Sequence, residues 1–135
     1  MTLRLPLALP LAVTALAALT TATALPAAAE TGIKIVTGMH GKMLTDAKGM
    51  TLYTFDKDMG GSSSCYDACA TLWPPLIAPA GAQADAGFGL TERKDGKMQW
   101  TYDGKPLYLW SKDAKPGDTT GDGVKEVWHV AKPAE

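Results

Sequence analysis

Slid against itself by 55 positions, the chain brings two long stretches into register without a gap, and this internal repeat limits the fold more than any other feature. Gly41-Lys42-Met43 falls on Gly96-Lys97-Met98, Gly49 on Gly104, Leu52-Tyr53 on Leu107-Tyr108, Lys57-Asp58 on Lys112-Asp113, and Trp73 on Trp128. Phe55 opposite Trp110 keeps an aromatic, and Asp67 opposite Asp122 keeps a carboxylate. Neither copy is large enough to cover its own apolar face, so the two are expected to fold together as one unit.

Both copies read as short strands joined by tight turns, because apolar and polar residues alternate around Gly-containing breaks. In the second copy Met98-Gln99-Trp100-Thr101-Tyr102 alternates with period two, Asp103-Gly104 is a dipeptide of type I′ hairpin turns, and Pro106 to Trp110 returns. In the first copy the turn is Lys48-Gly49 and the return strand runs from Met50 to Phe55. Ile33 to Val36, Gly87 to Arg93 and Val127 to Val130 are further strand candidates. The fold class is therefore all-β, mainly antiparallel, with one short helix near 65–72, arranged as a two-fold internal repeat in a small sandwich or barrel. The repeats span about 32–77 and 88–132, and the Ala-, Gly- and Pro-rich segment 78–87 is a surface linker.

The first 29 residues read as a signal peptide. Arg4 opens it, an uncharged apolar run follows from Leu5 to Leu25, and Ala27-Ala28-Ala29 supplies the small residues of a cleavage site before Glu30. Pro6, Pro10 and several threonines make this a poor membrane span. Cleavage leaves a single domain, 30–135, of 106 residues with twelve basic and fourteen acidic side chains, a formal net charge of −2. Such a chain has no basic field to hold nucleic acid and no transmembrane segment after processing. A periplasmic or secreted location follows.

Export bears on the cysteines. Cys65 and Cys69 both lie in the mature region, and two thiols in an oxidising compartment usually pair. Ser64-Cys65-Tyr66-Asp67 resembles a capping box, which predicts a helix of about two turns stopped by Pro74 and Pro75. On a regular helix, however, Cβ atoms four residues apart stand about 5–6 Å apart, and a disulfide wants about 3.5–4.5 Å. Either the helix starts after Cys65, or the thiols stay free as a redox or metal-binding pair. The compartment favours a disulfide closing a tight loop. Neither cysteine stands at the leader junction, where lipid attachment needs one.

Tyr53-Thr54-Phe55-Asp56-Lys57-Asp58 and Tyr108-Leu109-Trp110-Ser111-Lys112-Asp113 both fit the pattern Y-x-[FWY]-x-x-D. With the cysteine pair leading into Trp73-Pro74-Pro75-Leu76, the chain resembles the bacterial family of secreted repeats and predicted lipoproteins defined by that motif. The resemblance implies an envelope compartment and a repeat structure, and no particular activity. Physically, Tyr53 with Phe55 and Tyr108 with Trp110 share a strand face, while Asp58 and Asp113 fall past the strand end, placed to accept N–H bonds in the following turn. The bland reading makes these residues core and turn; the functional one makes the aromatics a binding face for a sugar or peptide.

Copper is the sharpest metal hypothesis, since Met39-His40-Gly41-Lys42-Met43 sets two thioethers around an imidazole. Met50, Met59 and His129 are further possible ligands. Methionines also fill ordinary cores, and His40 has no counterpart in the second copy. Asp118 to Gly123 matches part of a calcium loop, but His129 stands where the closing Glu is required. No nucleophile, zinc or phosphate-loop motif occurs. The reading is a non-enzymatic, exported ligand- or partner-binding β-repeat domain without a required cofactor, the alternative being a periplasmic copper-binding or redox accessory protein.

Overall fold

A computed structural model describes residues 2, 3, 6, 8–18 and 31–134. The expected cleavage site near Ala29 lies outside the described residues. Among the described residues no helix is long and apolar enough to cross a membrane. The elements run β1 (Lys34–Gly38), β2 (Gly41–Thr45), β3 (Tyr53–Phe55), α1 (Ala68–Leu72), β4 (Phe88–Glu92), β5 (Met98–Tyr102), β6 (Lys105–Pro106), a 3-10 turn at Val124–Glu126, and β7 (Trp128–Val130). They form three small antiparallel sheets, β1-β2, β3-β7 and β4-β5-β6, linked by single bridges. Asp103 and Gly104 both take positive φ between β5 and β6, as their type I′ turn requires.

The repeats exchange strands. Tyr53 in the first copy pairs with Val130 at the end of the second, while Tyr108 in the second pairs with Pro75 at the end of the first. Tyr53 and Tyr108 pair with each other, each amide donating to the other's carbonyl at 2.8 and 3.0 Å. The row Val130, Tyr53, Tyr108, Pro75 therefore runs through a local two-fold axis between the two tyrosines. Asp56 N bonds Val127 O, and its counterpart Ser111 N bonds Leu72 O.

The 55-residue register slips once. Leu52 N bonds Leu44 O as Leu107 N bonds Trp100 O, and Leu44 N bonds Ala131 O as Trp100 N bonds Leu76 O. Leu44 thus corresponds to Trp100, a step of 56, and Met43 to Gln99 rather than to Met98. The cause is a pair of compensating turn lengths. The β1-β2 turn closes Gly38 on Gly41, whereas Arg93 closes on Lys97 with one residue more. The next turn is correspondingly longer in the first copy, with Asp46 N bonding Met50 O.

Two apolar clusters lie on the two faces of this row. One holds Leu44, Leu52, Trp100, Leu107 and Ala131, the other Met43, Tyr53, Cys65, Trp73, Tyr108, Trp110, Trp128 and Val130. The helix is shorter than expected. Asp67 precedes α1 with φ of 54° and makes no side-chain cap, and the expected capping residue Ser64 is engaged elsewhere: its Oγ donates to Asp58 Oδ1 at 2.9 Å. Because α1 starts only at Ala68, Cys65 lies outside it, and Cys65 and Cys69 join in a disulfide with Cα atoms 5.3 Å apart.

Candidate functional site

The sequence motif converges on one place, the cluster astride the two-fold axis. Phe55 stacks on Trp128 with centroids 4.1 Å apart, Trp128 on Trp73 at 3.8 Å, and Trp73 on Trp110 at 3.9 Å. The axis passes between Trp73 and Trp128, so the four rings form one pile whose halves mirror the repeat. Tyr53 meets Trp73 edge-on at 5.3 Å and Tyr108 meets Trp128 edge-on at 5.1 Å, the arrangement the ring quadrupoles favour. Gly121 lets the chain cross this pile: a Cβ there would stand 2.8 Å from Trp73 and 2.9 Å from Trp110.

Each motif tyrosine bonds the other motif's aspartate. Tyr53 Oη donates to Asp113 Oδ2 at 2.7 Å and Tyr108 Oη donates to Asp58 Oδ2 at 2.6 Å. The second carboxylate oxygen holds the loop that follows. Asp58 Oδ1 accepts from Ser64 N and Oγ, and Asp113 Oδ1 accepts from Thr120 N and Oγ1. Burial, followed by the bond to Asp113, raises the Tyr53 phenol far above its ordinary range. Burial and the bond to Asp58 do the same to Tyr108. Both phenols are neutral donors throughout the physiological range.

Of the two arrangements open to the motif aromatics, core or exposed face, the fold turns them inward. Tyr53 and Tyr108 are fully buried, Trp110 is 8% exposed, and only Phe55 is half-buried. The reason is the strand exchange, which lays each copy's tryptophan over the other copy's motif. A flat platform made of Tyr53, Phe55, Tyr108 and Trp110 is therefore not presented to solvent.

Beside Tyr108 lies a polar network with no counterpart in the first copy. Arg93 is 6% exposed and donates to Ser63 Oγ, Gln99 Oε1 and the Cys65 carbonyl. Its guanidinium carbon sits 4.3 Å from the Tyr66 ring centroid. Ser63 Oγ lies 2.7 Å from Tyr108 Oη. Since the phenol uses its own O–H to donate to Asp58 Oδ2, Ser63 Oγ donates the bond to Tyr108 Oη. The first copy fills the same place with Met43 packed against Gly38. Sequence reasoning missed Arg93, Gln99 and Ser63, and nothing but the pairing of a strand-end Arg with an inward Gln marks them.

The residues of the copper hypothesis separate. Met39 is 99% exposed in the β1-β2 turn and His40 is exposed beside it, whereas Met43 is 3% exposed in the core. Met59 is exposed, and His129 Nε2 is 2.7 Å from Asp56 Oδ2 on the surface. Among the described residues no three His, Cys, Asp or Glu side chains are grouped to hold a metal ion. Asp118 and Asp122 serve as turn acceptors, for Ala114 and Lys115 N and for Val130 N.

No curated protein and no solved structure matches the chain. A family model described as a secreted repeat of unknown function matches residues 34–77 and again 89–132, the two halves whose tyrosines, tryptophans and aspartates interlock across the axis. With most of its length inside those two matches and its fold built from their exchange, the chain belongs to that family of secreted repeats.

Proposed function

We propose that this is an exported cell-envelope protein, periplasmic or secreted, that binds a partner without catalysing a reaction on it. The observation that supports the reading is an open sheet edge. Among the described residues β1 pairs only with β2, and Ile35 on it is 57% exposed. An open depression of about 780 Å³ adjoins it, lined by Ile35, His40, Lys42, Lys132 and Pro133 among others. An unpaired edge strand is a template for an extended segment of another chain. Cationic side chains flanking an apolar contact suit an acidic segment, which they would steer and orient.

The test is site-specific photocrosslinking in exported protein. A photoreactive residue at Ile35 should capture one partner in high yield, the same residue at the exposed Gln83 should not, and Lys42→Glu with Lys132→Glu should abolish capture. Equal capture from both positions, or capture indifferent to the two charge reversals, overturns the reading. The copper-accessory alternative would be favoured instead if dialysed protein kept copper and His40→Ala lost it.

A further inference from the structure

The buried cluster has more order than filling a core demands. Three indoles and a phenyl ring lie in one continuous pile with centroid steps of 3.8 to 4.1 Å, and two phenols touch it edge-on. Indole and phenol are the side chains that most readily lose a single electron apart from thiolate, and both cysteines here are in the disulfide. Rings in van der Waals contact exchange electrons readily. Loss of an electron makes phenol a strong acid, so its oxidation needs a proton acceptor already in place. Tyr53 and Tyr108 each have one, a carboxylate oxygen at 2.7 and 2.6 Å.

We propose that the aromatic pile is a one-electron conduit, in which a high-potential one-electron oxidant at the surface withdraws an electron through Trp110, Trp73 and Trp128, and the vacancy is fixed as a neutral tyrosyl radical at Tyr53 or Tyr108. The step balances within the cluster. The oxidant gains one electron, an indole becomes a radical cation, and an electron from the adjacent phenol restores the indole. The phenolic O–H bond breaks as a carboxylic O–H bond forms on Asp113 or Asp58, leaving a phenoxyl radical and a neutral acid.

The charges set the direction. Lys112 Nζ lies 5.6 Å from the Trp110 ring centroid at the outer end of the pile, where a positive charge disfavours an electron vacancy. The carboxylate of Asp113, 8% exposed beside Tyr53, favours it further in. The substrate class is therefore the high-potential one-electron oxidant, metal-centred or radical. The reading is independent of partner binding at β1.

The experiment is flash-quench oxidation of the whole mature protein by photogenerated ruthenium(III) tris-bipyridine, followed by transient absorption and freeze-quench paramagnetic resonance. The expected sequence is a tryptophanyl radical that converts to a tyrosyl radical. Tyr53→Phe with Tyr108→Phe should leave the tryptophanyl signal unconverted, whereas Tyr66→Phe with Tyr102→Phe should preserve the tyrosyl yield. Asp58→Asn with Asp113→Asn should slow the conversion about a hundredfold, the low end of what a positioned proton acceptor supplies. A tyrosyl signal lost with Tyr66 and Tyr102, or formed without a tryptophanyl precursor, overturns the proposal. The Tyr66/Tyr102 variant decides the matter even if the core variants fail to fold.

Discussion

At the scale of single residues, the motif Y-x-[FWY]-x-x-D is a pair of reciprocal clasps. Tyrosine and aspartate of one copy do not bond each other, and the partner of each is supplied from across the axis. Replacing Tyr53 by Phe leaves Asp113 Oδ2 without its donor and should lower stability by about 1–3 kcal/mol. In a double-mutant cycle with Asp113→Asn, urea unfolding should show a coupling energy of the same order. The alkaline limb has a sign that follows from burial. An unfolded tyrosine ionises near pH 10, whereas Tyr53 and Tyr108 stay protonated in the fold well beyond it. Their contribution is whole below about pH 10 and is lost above it, at about 1.4 kcal/mol per pH unit for each phenol. Urea midpoints should decline above pH 10, and the decline should be shallower in Tyr53→Phe with Tyr108→Phe.

At the scale of elements, the two copies solve one problem differently. The loop after the first motif is held by the disulfide Cys65–Cys69 and by Asp58. The loop after the second has Thr120 on Asp113 and the 3-10 turn Val124–Glu126 in place of α1. A cross-link spanning so few residues removes little chain entropy. Cys65→Ser with Cys69→Ser should therefore cost about 2 kcal/mol, toward the low end for disulfides, and leave the fold intact. Thermal melts with and without reductant measure it, and complete unfolding of the reduced protein would contradict the estimate. The slip from 55 to 56 between β2 and β5 shows how turns set register. One added residue before the strand and one removed after it exchange Met43 for Gln99, and so an apolar contact for the buried Arg93 network.

At the scale of the molecule, strand exchange makes the halves inseparable. Each copy's final strand completes the other copy's sheet, so neither has a closed core alone. One cooperative unfolding transition should be seen by tryptophan fluorescence and by far-ultraviolet dichroism alike, and two resolved transitions would contradict the interlock. Trp73→Ala and Trp128→Ala should each cost about 3–5 kcal/mol. Because the two rings stack on each other, the double variant should lose less than the sum.

Much of this was legible in the residues themselves. Period-two alternation in Met98 to Tyr102, the Asp103-Gly104 turn and the recurrence of Tyr, Trp and Asp at a fixed interval determined strands, a hairpin and a two-copy unit, because these depend on local geometry and on the chain repeating itself. Only the tertiary structure decided that the copies trade strands, that Tyr53 belongs to Asp113 rather than Asp58, and that the aromatic face points inward. Those outcomes turn on contacts between residues 33 to 77 positions apart, such as Tyr108 with Pro75 and Tyr53 with Val130. A self-alignment reports that two sites are alike, and it carries no information on whether each copy closes on itself or on its sister.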